Sequence, residues 1–346
     1  MAIFLTNQEV RSLLPMKDCV ELMARVFQDE ADGRSKTLPR QHIPLPVGFH
    51  RTISGVAEGF GVYGMKTYGA VRKEGWLRTR YLVMLYSLED GLLQAIMEAR
   101  DIGQIRTGAV AGLATRILSR EDAHTIGIIG TGWEARSQIA AMNVVRNITH
   151  VKAYSRSPEN REKFANEMRE RYGIDVQPVT TAEEATRDVD IFITITGAND
   201  PLIDGAWLSP GTHINAVGAT TPNRRELDVE SVRRSDLVVV EQIEQAQADA
   251  AELFTAVEEG ALNWDDVVLL KDLVSGPPQI RTASVITQFN SLGVATEDLA
   301  AAAFVAEKAK EAGIKAIFFT DDTFNVPKNR FEKIIDGMLE RDLQIP

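Results

Sequence analysis

The sequence predicts an α/β protein of two domains, and three observations carry that prediction. Between residues 125 and 241, short apolar runs mostly alternate with charged segments of helical period, the pattern of strands joined by crossover helices in a parallel sheet. The first of these runs leads straight into a glycine-rich turn and a helix. At 346 residues the chain exceeds what one ordinary core organises, so a second domain must come from the rest.

The first hundred residues mix apolar runs with Gly and Pro, as in "TLPRQHIPLP" and "YGMKTYGA". "RYLVMLYSLEDGLLQAIME" reads as two strands around a turn at Asp90-Gly91, so an antiparallel or mixed sheet is predicted here. From Ile102 to Leu118, "IGQIRTGAVAGLATRIL" carries Ala and Leu at helical spacing and predicts a helix leaving that sheet. The strand candidates that follow are "TIGIIG" (125–130), "HVKAYS" (150–155), "DVQPV" (175–179), "DIFITITG" (190–197), "HINAVG" (213–218) and "DLVVVE" (236–241). Their near-continuous apolar character fits strands covered on both faces. After Gly293, "VATEDLAAAAFVAEKAKEAG" reads as an alanine-rich helix and "IKAIFF" as a short final strand.

Composition narrows the function. With 44% hydrophobic and 25% charged residues, the chain is that of a soluble globular protein. No membrane span is visible, and "MAIFLTNQEVRSLL" lacks the parts of a signal peptide, so a cytoplasmic location is predicted. Cys19 is the only cysteine, and His42, His50, His124, His150 and His213 are scattered, so neither a disulfide nor a metal site is expected. A net charge of −11 speaks against nucleic acid, whose phosphates demand clustered Lys and Arg. A small molecule is the expected partner.

"TIGIIGTGWEARSQIAAM" sets Gly130-x-Gly132-x-x-Ala135 between an apolar strand and a helix, the context a dinucleotide-binding turn requires. Gly130 permits the tight turn, Gly132 lets backbone approach a pyrophosphate, and Ala135 lets helix and strand pack closely. The phosphates would meet the helix N-terminus. This makes residues 121–293 a Rossmann domain. The second strand ends in Ser155-Arg156-Ser157 with no carboxylate for a ribose 2′-OH, which favours NADP over NAD. A solvated Arg156 stacking on adenine fits either cofactor. In "NAVGATTPNRRELD", Gly218 and Ala219 leave room for a nicotinamide. Asp228 there reads equally as a helix N-cap or as a catalytic carboxylate.

In order, "PR" (39–40), "GMKTYG" (64–69), "QIRTGAVAGLAT" (104–115), "GIIGTGWEA" (127–135), "PGTHINAVGA" with "RELD" (210–228) and "ITQFNSLGVATEDLAAA" (286–302) resemble the ornithine cyclodeaminase/mu-crystallin family over nearly the whole chain. The resemblance implies a discontinuous α+β substrate-binding and dimerisation domain, residues 1–120 together with 294–346, around the Rossmann domain, and a homodimer. It implies that Arg40, Lys66 and Arg106 gather at a substrate carboxylate and that Asp228 works at the substrate nitrogen, making Lys66 and Asp228 the catalytic pair. It also implies a cofactor lined by Thr107, Gly130, Thr131, Gly132, Trp133, Glu134, Ala135, Ser155, Arg156, Ser157, Thr196, Val217, Gly218 and Ala219. On the residues alone, Arg106 reads as an interdomain salt bridge and Arg40 as a surface charge.

These residue types suit imine chemistry. A guanidinium holds a carboxylate through two parallel hydrogen bonds, a carboxylate near nitrogen stabilises an iminium, and a desolvated lysine exchanges protons. The implied activity is NAD(P)H-dependent reduction of a small α-imino acid, or of an α-keto acid with an amine, to the amino acid, and the reverse. Two other activities occur within the resemblance: redox-neutral cyclodeamination of ornithine with bound NAD, and a mu-crystallin-like binding protein with little turnover. Two departures bear on the choice. Arg51-Thr52-Ile53-Ser54-Gly55 has no carboxylate where the cyclodeaminase branch carries one, which disfavours a diamine. Glu134 stands where Gln is usual and places a charge in the helix turn that meets pyrophosphate, weakening cofactor affinity.

Overall fold

The computed structural model describes residues 2–73, 76–277 and 282–314, with Lys333 and Asp336. β1 (Ile3–Leu5) leads into α1 (Asn7–Leu13), which opens on a capping box between Thr6 and Glu9. α2 (Met16–Ala31) buries Cys19, Val20, Met23, Val26 and Phe27 at helical spacing. β2 (Ser35–Thr37), β3 (Gln41–Leu45), β4 (Gly48–Ala57), β5 (Val62–Lys73), β6 (Trp76–Ser87) and β7 (Leu93–Glu98) then form an antiparallel sheet. Its order is β1-β7-β6-β5-β4-β2, with β3 also on β4 and β1 parallel to β7. The hairpin read around Asp90-Gly91 is β6 and β7, and Gly91 takes φ 72° in its turn. α3 (Arg100–Leu118) leaves the sheet almost wholly buried.

The second sheet begins with β8 (Thr125–Ile129), α4 (Ala135–Val145), β9 (His150–Tyr154), α5 (Pro158–Tyr172), β10 (Asp175–Pro178), α6 (Ala182–Thr186) and β11 (Ile191–Thr194). It continues through β12 (His213–Ala216), α7 (Val229–Arg233), β13 (Leu237–Val240), α8 (Ile243–Asp249), α9 (Ala251–Glu258), β14 (Val268–Leu269), α10 (Leu270–Ser275) and β15 (Thr287–Asn290). All its pairings are parallel, in the order β10-β9-β8-β11-β12-β15-β13-β14.

β15 is a strand the apolar runs do not announce. Every residue of Thr287–Asn290 is buried, but three are polar and each has a partner. Thr287 meets His213 Nδ1 at 2.8 Å, Gln288 Oε1 accepts from Ser235 at 2.9 Å, and Asn290 donates to Glu252 at 2.7 Å. Satisfied polar groups can be buried without an apolar signature.

α11 (Ala295–Glu311) returns to the first sheet. Leu299, Ala301, Ala302 and Val305 share one core with Val26, Phe27, Val83 and Leu85. The strand predicted at "IKAIFF" lies, from residue 315 on, outside the described residues. No helix among the described residues is long and apolar enough to cross a membrane.

Candidate active site

Strand alternation puts Lys66 and Tyr68 on the face of β5 that looks toward α11. Lys66 Nζ lies 2.6 Å from Asp298 Oδ2. From α3, Arg106 donates to the other oxygen of Asp298 at 3.2 Å and to Glu297 Oε2 at 2.6 Å. The four side chains form one buried unit: Lys66 is 5% exposed, Arg106 8%, and both acids 0%. Lys66 and Arg106 thus meet through a shared carboxylate. The acids were legible only as an adjacent pair in the first turn of an alanine-rich helix, where the dipole favours negative charge.

Burial, with Arg106 beside it, holds the Lys66 ammonium below the usual lysine range despite Asp298. Burial also pushes the Glu297 carboxyl up to about 8 against the pull of Arg106, with Glu241 and Asp298 adding to the rise. For Arg106 the acids outweigh burial, so it stays charged. Burial opposes ionisation of Tyr68, but Arg40, Lys66 and Arg51 hold its phenol below the ordinary tyrosine value. Tyr68 stacks on Tyr81 with centroids 5.0 Å apart.

Arg40 is not a surface charge, since its side chain is 7% exposed. Its guanidinium donates to Thr220 O at 3.1 Å, to Asp249 Oδ2 at 3.2 Å and to Leu292 O, and its backbone N–H donates to Gln245 Oε1 at 2.7 Å. The loop carrying Leu292 is fixed from its other side by buried Glu241, which accepts from Ser291 Oγ at 3.0 Å, Leu292 N at 3.0 Å and Gly293 N at 3.2 Å. Gly293 has φ +78°, and a Cβ there would stand 2.5 Å from Arg106 NH1. Arg40 therefore holds this loop by its Leu292 carbonyl, and Arg106 packs close against Gly293.

Asp228 does not join this cluster, which corrects the expectation that it works at the substrate nitrogen. It caps α7: one oxygen accepts from Ser231 N at 2.9 Å and from the Ser231 hydroxyl, the other from Gly205 N at 3.1 Å. Both oxygens are thus committed to holding backbone. Thr220 to Arg224, not Asp228, face the cleft beside Arg40. Glu226, which sequence reading passed over, ties the strand ends together by accepting from Thr196 N at 2.5 Å and Gly218 N at 2.8 Å. Val217 and Ala219 are buried beside it.

The dinucleotide turn fits its group. Gly130 has φ +107°, and a Cβ there would stand 2.3 Å from Ile195 O, whereas nothing lies within 4 Å of a Cβ on Gly132. α4 opens at Ala135 with no side chain bonded to its first N–H groups, leaving donors for an anion. Thr131 donates to Ser155 Oγ at 2.9 Å, joining the turn to the end of β9, and Ser157 caps α5. Arg156 is exposed and forms no ion pair among the described residues. Thr107 offers its carbonyl to Gln138 at 3.5 Å. Arg11 and Arg100 lie 4.8 and 4.2 Å from the Trp133 ring centroid.

Glu134 has one oxygen sealed from solvent with no hydrogen-bond partner. Burial pushes its carboxyl upward against Arg106, Lys66 and Arg100. Among the described residues, no group of three or more His, Cys, Asp or Glu is placed to hold a metal ion.

Comparison with known proteins agrees with this fold. A family model described as the ornithine cyclodeaminase/mu-crystallin family matches residues 1–313. Alanine dehydrogenase of Archaeoglobus fulgidus is 32% identical over 323 residues, 92% of this chain and 98% of that protein. The structure of Thermococcus litoralis Delta(1)-pyrroline-2-carboxylate reductase in complex with NADH and L-proline aligns with a TM-score of 0.87 at 33% identity, covering 92% of this chain and 100% of that one. An archaeal alanine dehydrogenase dimer with bound NAD aligns with a TM-score of 0.86 at 31% identity, covering 92% and 99%.

Proposed function

The chain belongs to the ornithine cyclodeaminase/mu-crystallin family, and from that premise we propose that it reduces a small α-imino acid, or an α-keto acid with an amine, to the amino acid, and catalyses the reverse. The carrying observation is the buried set Lys66, Asp298, Arg106 and Glu297. A bound nicotinamide coenzyme supplies the hydride for the imine carbon. The balanced reaction consumes imine, hydride and one proton and yields the amine.

Arg106 and Lys66 receive the α-carboxylate, and Arg40 holds the 291–293 loop that shapes this end of the cleft. With Glu297 protonated, Lys66 and Arg106 face one carboxylate, Asp298, and the set is left with the positive charge a substrate carboxylate needs. Lys66, its pKa lowered by burial, gives a proton to the substrate nitrogen and regains it from water, with Asp298 holding its orientation. Asp228 takes no part. Cyclodeamination is the weaker reading, because the side chains of β4 aligned with Lys66 and Tyr68 are Ile53 and Arg51, with no carboxylate for a second ammonium.

Gly130, Thr131, Gly132 and the start of α4 would hold the pyrophosphate, and Arg156 with Ser155 a 2′-phosphate, favouring NADP. The same reading assigns residues 1–120 with 294–346 to substrate binding and 121–293 to the cofactor. A homodimer is supported by the outer sheet face, where Tyr63, Met65, Met84, Tyr86 and Ile96 align with Phe4 and Leu82, which are 37% and 36% exposed.

The test follows NADH and NADPH absorbance with keto acids plus ammonia or methylamine, and with cyclic imino acids. Oxidation of coenzyme is expected. No oxidation with any of them, together with ammonia release from ornithine under catalytic NAD, would refute the reading. Lys66→Met and Lys66→Arg then separate roles: proton transfer predicts loss of kcat in both, whereas carboxylate binding alone predicts that Arg retains it.

A further inference from the structure

A cavity of about 510 Å³ lies between the first sheet and the 220–224 loop. Arg40, Arg51 and Arg224 line it against a single acid, Asp249, which is already paired with Arg40. Arg51 has no acidic partner among the described residues. Its Nε donates to His42 Nδ1 at 3.1 Å and its guanidinium lies 4.7 Å from the Phe49 ring centroid. A side-chain hydrogen bond also joins Arg51 to Tyr68, and together these contacts orient the guanidinium that lines the cavity. Arg224, on the opposite wall, is exposed and forms no ion pair among the described residues.

Tyr68 links the cavity wall to the Lys66 site: it is hydrogen-bonded to Arg51, and its ring centroid lies 6.0 Å from Lys66 Nζ. Arg51 stands opposite Tyr68 in the β4–β5 ladder and Ile53 opposite Lys66, so Arg51 lies on the face of Lys66, displaced by two residues. Two residues of strand span about 7 Å, so the second cationic group stands along the strand from Lys66, within reach of a short substrate side chain. A planar guanidinium on each wall matches a carboxylate held between them.

We propose that this cationic end of the cleft receives a second carboxylate, borne on the substrate side chain, so that the amino acids formed are dicarboxylic. The proposal rests on the reading above that Lys66 and Arg106 hold the α-carboxylate. Arg51 and Arg224 are specificity-determining residues and take no part in hydride or proton transfer.

Two measurements test it. The first compares kcat/KM for oxaloacetate and 2-oxoglutarate with that for 2-oxobutyrate and 2-oxovalerate, each with ammonia and reduced coenzyme. Dicarboxylic acids should lead by about tenfold or more, and Arg224→Met should erase most of that lead while Arg224→Lys keeps part of it. The second measures binding of succinate and butyrate by calorimetry, independent of turnover. Tighter succinate binding that Arg224→Met abolishes is the expected result. Turnover of both classes with equal kcat/KM, unaltered in Arg224→Met, overturns the subsite and leaves the reductase reading standing. No turnover of any keto acid, with Arg224-dependent succinate binding retained, upholds the subsite and overturns the reductase reading. Neither turnover nor a binding difference overturns both.

Discussion

Replacing Glu297 by Gln should uncouple substrate affinity from pH. In the wild-type protein the Glu297 carboxyl, raised to about 8, keeps its proton at neutral pH and releases it on the alkaline side. Below that value Lys66 and Arg106 face one carboxylate, Asp298, and the cluster carries a net positive charge. Above it a second carboxylate sits 2.6 Å from Arg106 NH1, and the cluster is neutral. Two carboxylates sharing one guanidinium stand about 6 Å apart, and at an effective dielectric of about 20 their repulsion is about 3 kcal/mol, roughly a hundredfold in affinity. KM for the imino or keto acid should therefore be flat at neutral pH and climb by up to that factor as pH rises past about 8. The assay is KM from initial rates at saturating coenzyme between about pH 6 and 10. Glu297→Gln, uncharged throughout, should keep the neutral-pH KM and lose the climb, apart from the part due to deprotonation of Lys66. A flat wild-type profile, or a variant with the same midpoint and amplitude, would refute the reasoning.

Asp228→Ala should cost about 1 kcal/mol of stability, the loss of a helix cap, with kcat nearly unchanged; a fall of orders of magnitude in kcat with coenzyme binding intact would restore a catalytic role. Arg156→Asp should shift the ratio of kcat/KM for NADPH over NADH toward NADH by about tenfold or more, charge-assisted contacts to phosphate being lost; an unchanged ratio would place Arg156 away from the 2′ position. Met84→Glu on the outer face of the first sheet should convert the dimer to monomer in sedimentation, and a monomeric wild-type protein would remove the dimer proposal. Burial depresses the His213 pKa to about 3, so the unfolded chain binds its proton first and stability should fall as pH drops below about 6.5. Thermal melts of His213→Gln should show a shallower acid-side decline.

How much was legible in the sequence depended on how each element is stabilised. Six of the parallel strands declared themselves by short apolar runs, two-residue β14 was too short to read, and β15 stayed silent because its polar side chains find partners across the sheet. The dinucleotide turn was legible since Gly130 answers to a positive φ and a close approach of Ile195 O that a side chain would not meet, and Gly132 leaves the turn open. Lys66 and Arg106 could be named only through the whole-chain resemblance. Their acidic partners come from α11, about two hundred residues further along the chain, and no local spacing encodes that meeting. Asp228 shows the opposite failure: a capping aspartate and a catalytic one look alike in sequence, and only the positions of Gly205 N and Ser231 N distinguish them. Arg224, next to Arg225 in the loop before α7, is legible in the sequence as a charge that could meet a second carboxylate or as a plain exposed loop charge, whereas Arg51 carries no such signal; the cavity they flank exists only once the first sheet and that loop are brought together.

Cys19 lies on α2, fully buried behind this machinery, and burial pushes its thiol well above the ordinary range despite the field of Arg106. A thiol that is both sealed and protonated does not react, so the folded protein should resist alkylating reagents and oxidants at its one cysteine. Any modification that does occur then counts excursions in which the helices around Arg106 part from the first sheet. The chain thus carries a built-in clock for the opening of its own core, one that mass spectrometry can read without an engineered label.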